Sequence, residues 1–139
     1  MALELGSLEA AVDALRRSID AARRSSDVAD TDLIETIRAG VIQHFEVTYE
    51  QCWKFMQRWL RENQSPEPAD YPRSRKELFR MAARLGLISD PAPWFKFGDA
   101  RNLTSHTYDT EQAEAGYKTA QEFLPYAQEF LSRLREKND

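Results

Sequence analysis

Apolar side chains return at steps of three and four residues along most of this 139-residue chain, and this period constrains the fold more than any other feature. Three such stretches lie near residues 5–19, 34–60 and 113–134. The chain has only 5 Gly and 6 Pro, too few for the many tight turns of an all-β protein. We therefore predict an all-α fold, an antiparallel four- to five-helix up-and-down bundle, as a single domain over residues 1–139.

The apolar positions predict which helix faces are buried. In the first helix they are Leu5, Leu8, Val12, Leu15 and Ile19. In the second helix they are Ile34, Ile37, Val41, Phe45, Tyr49, Cys52, Met56 and Leu60. In the last helix they are Ala113, Tyr117, Ala120, Leu124, Ala127, Leu131 and Leu134.

The helix ends have sequence signals of their own. Asp32 and Ser74 are each followed three residues later by glutamate, the spacing of a capping box at a helix start. Pro91 suits a first helical turn, and Gly86 is a predicted left-handed cap. The prolines within residues 65–72 exclude a helix there, so we predict a loop.

Charge and cysteine content limit the function classes. A formal net charge of −4 argues against a protein that coats nucleic acid, but it allows a focused phosphate site. Cys52 is the single cysteine, which rules out an intramolecular disulfide and a cysteine-rich zinc site. We expect a cytoplasmic protein without cofactor or metal, and no contact with a membrane, because no apolar stretch approaches ~20 residues.

Residues 101–108, RNLTSHTY, place three groups suited to phosphate chemistry close together. Arg101 is a permanent cation with a planar fork of donors, His106 can transfer protons near neutral pH, and Tyr108 can donate a hydrogen bond or accept a transferred group. On an unbroken helix Arg101 and His106 would lie ~140° apart, so the helix must end between them if they share a ligand. The alternative is structural: Arg101 pairs with an acid, His106 caps the helix and Tyr108 packs.

This segment resembles the signature of HEPN-domain proteins, an arginine, four to six residues and a histidine. The tyrosine two residues later is similar to the form found in HEPN toxins that are paired with minimal nucleotidyltransferases. Residues 41–50 with Trp53 and Lys54, residues 83–88 and residues 123–125 resemble the helical nucleotidyltransferase substrate-binding family. The resemblance spans roughly residues 5 to 135.

The resemblance implies a homodimer with the motifs of both subunits near a shared cleft, a separate minimal nucleotidyltransferase subunit as partner, and RNA or a nucleotide as ligand. It implies metal-independent RNA cleavage, with Arg101 and His106 catalytic, Asn102 orienting the phosphate or the partner motif, and Tyr108 at the border of the cleft. Tyr108 is also the candidate for modification by AMP. Other HEPN domains only bind, so a non-catalytic nucleotide- or substrate-binding subunit stays the alternative.

Three further sets of residues have both a functional and an ordinary interpretation. Glu46, Glu50 and Lys54 share one face of the second helix, either with a carboxylate turned toward Arg101 or His106, or as a solvated strip with a Glu50–Lys54 pair. Lys76, Arg80 and Arg84, with Arg73 and Arg75 just before them, form a basic ridge, either solvated or in contact with RNA phosphate or an acidic partner. Trp94, Phe95 and Phe97 point to several sides of one helix, which favours contact of one of them with a second subunit.

Overall fold

The computed structural model describes residues 2–64, 71–103 and 110–138, and these residues form five helices and no strand. The helices are α1 (Gly6–Arg24), α2 (Thr31–Asn63), α3 (Arg75–Arg84), α4 (Pro91–Leu103) and α5 (Thr110–Lys137). The long helices α1, α2 and α5 pack on one another. The two short helices pack together and against α2, and α4 also contacts α5. The predicted all-α fold is confirmed.

An aromatic cluster joins the short helices to the long ones. The ring of Phe123 on α5 meets Phe45 of α2 and Trp94 and Phe97 of α4 edge to face, with centroids 5.2, 5.5 and 5.1 Å away. Such edge-to-face pairs add about 0.5–1.5 kcal/mol each beyond the burial of their area. The predicted buried face of α5 needs correction here, because Phe123 is fully buried while Leu124 is only partly so.

Local signals at the helix ends are partly as predicted. The Ser74 hydroxyl accepts a hydrogen bond from the Glu77 amide, and Gly86 has a φ of 82° in the left-handed region. The amides of Gly86 and Leu87 donate to the carbonyls of Ala83 and Ala82, a Schellman arrangement. The predicted N-terminal cap of α2 is wrong by two residues.

The residue that caps α2 is Asp30, whose carboxylate accepts from the Leu33 amide at 3.2 Å, and not Asp32. Asp32 lies inside the first turn, where its charge still favours the helix through the macrodipole. The predicted loop over residues 65–72 lies mostly outside the described residues, which resume at position 71. Among the described helices, none combines the length and apolar character needed to cross a membrane.

Polar contacts hold the turn between α3 and α4, and α4 itself, against α5. The Ser89 amide and hydroxyl both donate to Glu129 Oε1, and the Arg133 guanidinium donates to the Gly86 carbonyl at 3.3 Å. Lys96 pairs with Glu122 at 3.0 Å. These contacts are exposed or only partly buried and are individually weak, so the aromatic cluster supplies most of the attachment.

The core contains Cys52, a thiol with no solvent exposure, and burial raises its pKa well above the ordinary value. The unfolded chain loses the thiol proton near pH 9, whereas the folded protein keeps it to a higher pH. The full contribution to stability is therefore present below pH 9, and it is lost progressively as the pH rises from there toward the pKa of the folded thiol. We expect the free energy of unfolding to fall above pH 9 by an amount that approaches about 1.4 kcal/mol per pH unit from this group.

Urea denaturation at pH 7.5 and pH 10 would measure this loss. Cys52→Ala is the control: it costs stability at both pH values through the cavity, but its loss between them should be smaller by about 1.4 kcal/mol. Buried Tyr49, whose pKa burial also raises, is present in both proteins and cancels in the comparison. Equal losses in the two proteins would contradict the prediction.

Candidate active site

Arg101 lies in the last turn of α4 and faces two carboxylates of α2. Its Nη1 atom is 3.1 Å from Glu46 Oε2, and its Nε atom is 3.6 Å from Glu50 Oε1. Glu46 and Glu50 are one helical turn apart, so they hold the guanidinium by one close ion pair and one longer electrostatic contact. All three side chains are between 27% and 30% exposed, which leaves the group accessible but shields it from full solvent screening.

Glu50 is itself held in place from two sides. The indole Nε1 of Trp53 donates to Glu50 Oε2 at 2.9 Å, and Arg75 Nη2 of α3 lies 3.9 Å from Glu50 Oε1. The Arg75 guanidinium lies over the Trp53 ring, 4.6 Å from its centroid. Within the described residues, Glu50 pairs with the two arginines and not with Lys54, whose ammonium lies 5.8 Å from the Trp53 ring.

A glycine sets the distance between α4 and α2 one turn before Arg101. A Cβ atom on Gly98 would lie 2.7 Å from the hydroxyl oxygen of Tyr49, too close for any real contact. Tyr49 is fully buried on α2, next to Glu50. Burial raises the pKa of the Tyr49 hydroxyl, and the nearby Arg75 guanidinium opposes that rise. Gly98 therefore lets α4 approach α2 closely enough for Arg101 to reach both carboxylates.

The remaining predicted site residues fall in two groups. Asn102 is exposed at the end of α4 and lines a small cavity together with residues of α3. His106 and Tyr108 belong to residues 104–109, outside the described residues, so their relation to Arg101 stays a prediction. Among the described residues, no group of three or more His, Cys, Asp or Glu side chains is arranged to hold a metal ion.

Two residues of the predicted basic ridge lie beside one aromatic residue of α4. Lys76 and Arg80 are exposed, with their cationic groups 5.8 and 5.3 Å from the ring centroid of Phe95. Trp94 and Phe97 are buried in the core, whereas Phe95 is only partly buried. Contact of these aromatic residues with a second subunit therefore reduces to Phe95, and it stays a prediction.

Comparison with known proteins identifies the family. A profile of the family described as "nucleotidyltransferase substrate binding protein like" matches residues 3–136. The chain belongs to this family. The resemblance seen in residues 41–50 and 101–108 is thereby confirmed at the level of the family, whose name implies a nucleotidyltransferase as partner.

Individual relatives agree with this assignment. The chain is 39% identical over 104 residues, 75% of its own length and 71% of the relative's, to a probable ribonuclease HepT of Haemophilus influenzae. A solved structure from the same organism, described as the fold of a substrate-binding domain of a nucleotidyltransferase, matches with a TM-score of 0.89 at 35% identity, over 95% of this chain and 99% of that one. A crystal structure from Thermus thermophilus matches with a TM-score of 0.64 at 28% identity, over 87% and 98%.

The close approach at Gly98 gives a prediction with an internal control. Gly98→Ala forces a methyl group against the buried Tyr49 hydroxyl, so we expect a loss of about 1–3 kcal/mol of stability and a shift of Arg101 away from Glu46 and Glu50. Gly40 also lies inside α2, but a Cβ there would have no atom within 4 Å. Gly40→Ala should therefore stabilise the protein by about 0.5–1 kcal/mol.

Thermal and urea unfolding of the two variants would measure these opposite signs. Far-ultraviolet circular dichroism would confirm that both remain helical. A Gly98→Ala variant as stable as Gly40→Ala would show that α4 does not depend on this contact.

Proposed function

We propose that this chain is the HEPN-type, RNA-cleaving subunit of a two-component system whose second component is a separate minimal nucleotidyltransferase. The observation that carries the proposal is the Arg101 guanidinium, half-buried and aimed by two carboxylates five residues before His106. A cation oriented in this way is suited to bind a phosphate and to stabilise the charge that develops on it. The relative described as a probable ribonuclease supports the same interpretation.

The proposed reaction is internal transesterification of RNA. A ribose 2′-oxygen forms a bond to the adjacent phosphorus, the bond from phosphorus to the 5′-oxygen of the next nucleotide breaks, and a cyclic phosphate and a 5′-hydroxyl remain. His106 takes the proton from the attacking hydroxyl or gives one to the leaving oxygen. Arg101 binds the phosphate oxygens, Asn102 orients the phosphate, and Tyr108 borders the cleft. Since arginine supplies the positive charge, the step requires no metal ion.

We further propose that the cleft forms between two copies of the chain. Two large apolar side chains that are near site residues in the sequence, Val47 and Leu103, are 48% and 51% exposed. Val47 follows Glu46 on α2, and Leu103 lies two residues after Arg101 at the end of α4. A second subunit that covers such exposed apolar side chains would gain from their burial, and in the proposed dimer it brings a second Arg101–His106 pair to the same groove.

Arg101→Ala and His106→Ala should each reduce RNA cleavage by at least about 100-fold, because one removes charge stabilisation and the other proton transfer. Both variants should keep the helical circular dichroism of the wild type; the Arg101 side chain is 30% exposed and lies outside the core. Arg80→Ala, which removes a charge from the surface of α3, is the matched control and should cleave normally.

Gel analysis of a labelled RNA, with and without EDTA, would test the proposal. Cleavage should survive the chelator and should stop when every ribose is replaced by 2′-deoxyribose. Loss of cleavage on chelation would contradict the metal-independent mechanism, and cleavage of the deoxy substrate would contradict attack by the 2′-oxygen.

The alternative function is a non-catalytic subunit that binds a nucleotide or substrate for the nucleotidyltransferase. The family description and the substrate-binding-domain description of the Haemophilus influenzae structure favour it. The Arg101 site would then bind the phosphate of a nucleotide or RNA without cleaving it. Wild-type protein that binds RNA or nucleotide through Arg101, yet cleaves no RNA, would establish this alternative.

Modification of Tyr108 would link the two components. In the proposed step the Tyr108 oxygen bonds to the α-phosphorus of ATP, pyrophosphate leaves, and the phenolic proton passes to solvent. The added phosphate would lie beside Arg101 and His106 in sequence and would compete with RNA for them. Co-expression with the partner should therefore add the mass of one AMP group, measured on the intact protein. Tyr108→Phe should abolish the adduct; an adduct that persists in this variant would place the modification elsewhere.

A further inference from the structure

A second arginine shares the carboxylate that holds Arg101. The same Glu50 oxygen, Oε1, lies 3.6 Å from Arg101 Nε and 3.9 Å from Arg75 Nη2. One carboxylate between two guanidinium groups brings two cations from different helices close together, and with Glu46 on Arg101 the four charges balance. Arg75 thus also offsets part of the negative charge that Glu46 and Glu50 present to an anion near Arg101.

Arg75 is ordered before any ligand binds. Its guanidinium lies 4.6 Å from the Trp53 ring centroid and 5.6 Å from that of Tyr49, yet its side chain is 43% exposed. Stacking restricts the long side chain, so little conformational entropy remains to be lost on binding. At 3.9 Å its contact with Glu50 is longer than a hydrogen bond, and a phosphate can therefore compete for its donors.

A small cavity lies beside Arg75. Its volume is about 130 Å³, and its walls include Arg75 and Lys76 of α3, Asp99 and Asn102 of α4, and Tyr49 of α2. Sites for whole drug-sized ligands measure ~300–1,000 Å³, so this cavity suits a single phosphate group. The buried Tyr49 hydroxyl lies near the Arg75 guanidinium but makes no hydrogen bond of regular geometry with any described residue. Two cationic side chains against one carboxylate favour an anion here.

We propose that Arg75 and Lys76 form a second phosphate subsite, which binds the phosphate next to the one held by Arg101 on single-stranded RNA. This inference rests on the proposed function and extends it. It predicts that the bound RNA runs from the end of α4, past Glu50, to the start of α3. Arg75 and Lys76, at the first turn of α3, then contact RNA. Arg80 does not line the cavity and should make no contact with RNA.

The salt dependence of RNA binding tests the subsite directly. Each phosphate contact on a single strand contributes about 0.7 to the slope of log K against log salt concentration. Fluorescence anisotropy with a labelled 2′-O-methyl oligoribonucleotide, which has no free 2′-hydroxyl to attack, would give this slope for full-length protein. Arg75→Gln should lower it by about 0.7, and Arg80→Gln, which removes the same charge from the same helix, should leave it unchanged.

Arg75→Lys provides a second variant that keeps the charge and should keep most of the slope. Circular dichroism would verify the fold of every variant. Equal slopes for wild type and Arg75→Gln, or equal reductions by Arg75→Gln and Arg80→Gln, would overturn the subsite. If the wild-type protein still bound RNA, the proposed function would stand. Wild-type protein that binds no RNA at any salt concentration would overturn both.

Discussion

The site depends on the close packing of α4 against α2 at a position that tolerates no side chain. Gly98 rests on the hydroxyl of Tyr49, and Arg101 follows one turn later on the same helix. At the usual helix separation a guanidinium at that point would have to extend farther to meet Glu46 and Glu50. The aromatic cluster around Phe123 supplies the attraction that keeps the two helices together. Packing of the core therefore determines the geometry of the charged groups.

Electrostatics explains how a chain with a net charge of −4 can present a site for an anion. The excess of negative charge is a property of the whole surface, and it is screened over about 8–10 Å at physiological ionic strength. Around Glu50 the charges balance, because Arg75, Arg101 and Lys76 lie close to Glu46, Glu50 and Asp99. Arg101, Glu46 and Glu50 are 27–30% exposed, which weakens solvent screening of their charges.

Much of the helical framework could be predicted from the sequence, because it depends on short-range rules. The five apolar positions of the first helix are all buried, and Gly86 adopts its left-handed conformation. The face shared by Glu46 and Glu50 was also correctly located as a candidate neighbour of Arg101. These features follow from the helical period and from steric limits on the backbone.

The errors arise where several positions satisfy the same rule. Phe123 and Leu124 both fit an apolar stripe, and only packing against Trp94 and Phe97 selects the phenylalanine. Asp30 and Asp32 are both good caps, and the first hydrogen bond of α2 decides between them. The pairing of Arg75 with Glu50 depends on contacts between helices that no local pattern specifies. For Gly98, the one local signal is a glycine a single turn before the motif arginine.

The shared Glu50 oxygen has a consequence for how this sequence can change over evolution. Arg75 and Arg101 are far apart in the chain, but they compete for the same oxygen of Glu50. Replacement of either arginine returns the carboxylate to the remaining one and tightens that pair. Substitutions at the two positions should thus be epistatic, and relatives that lose the arginine at the start of α3 should also alter the acid at position 50.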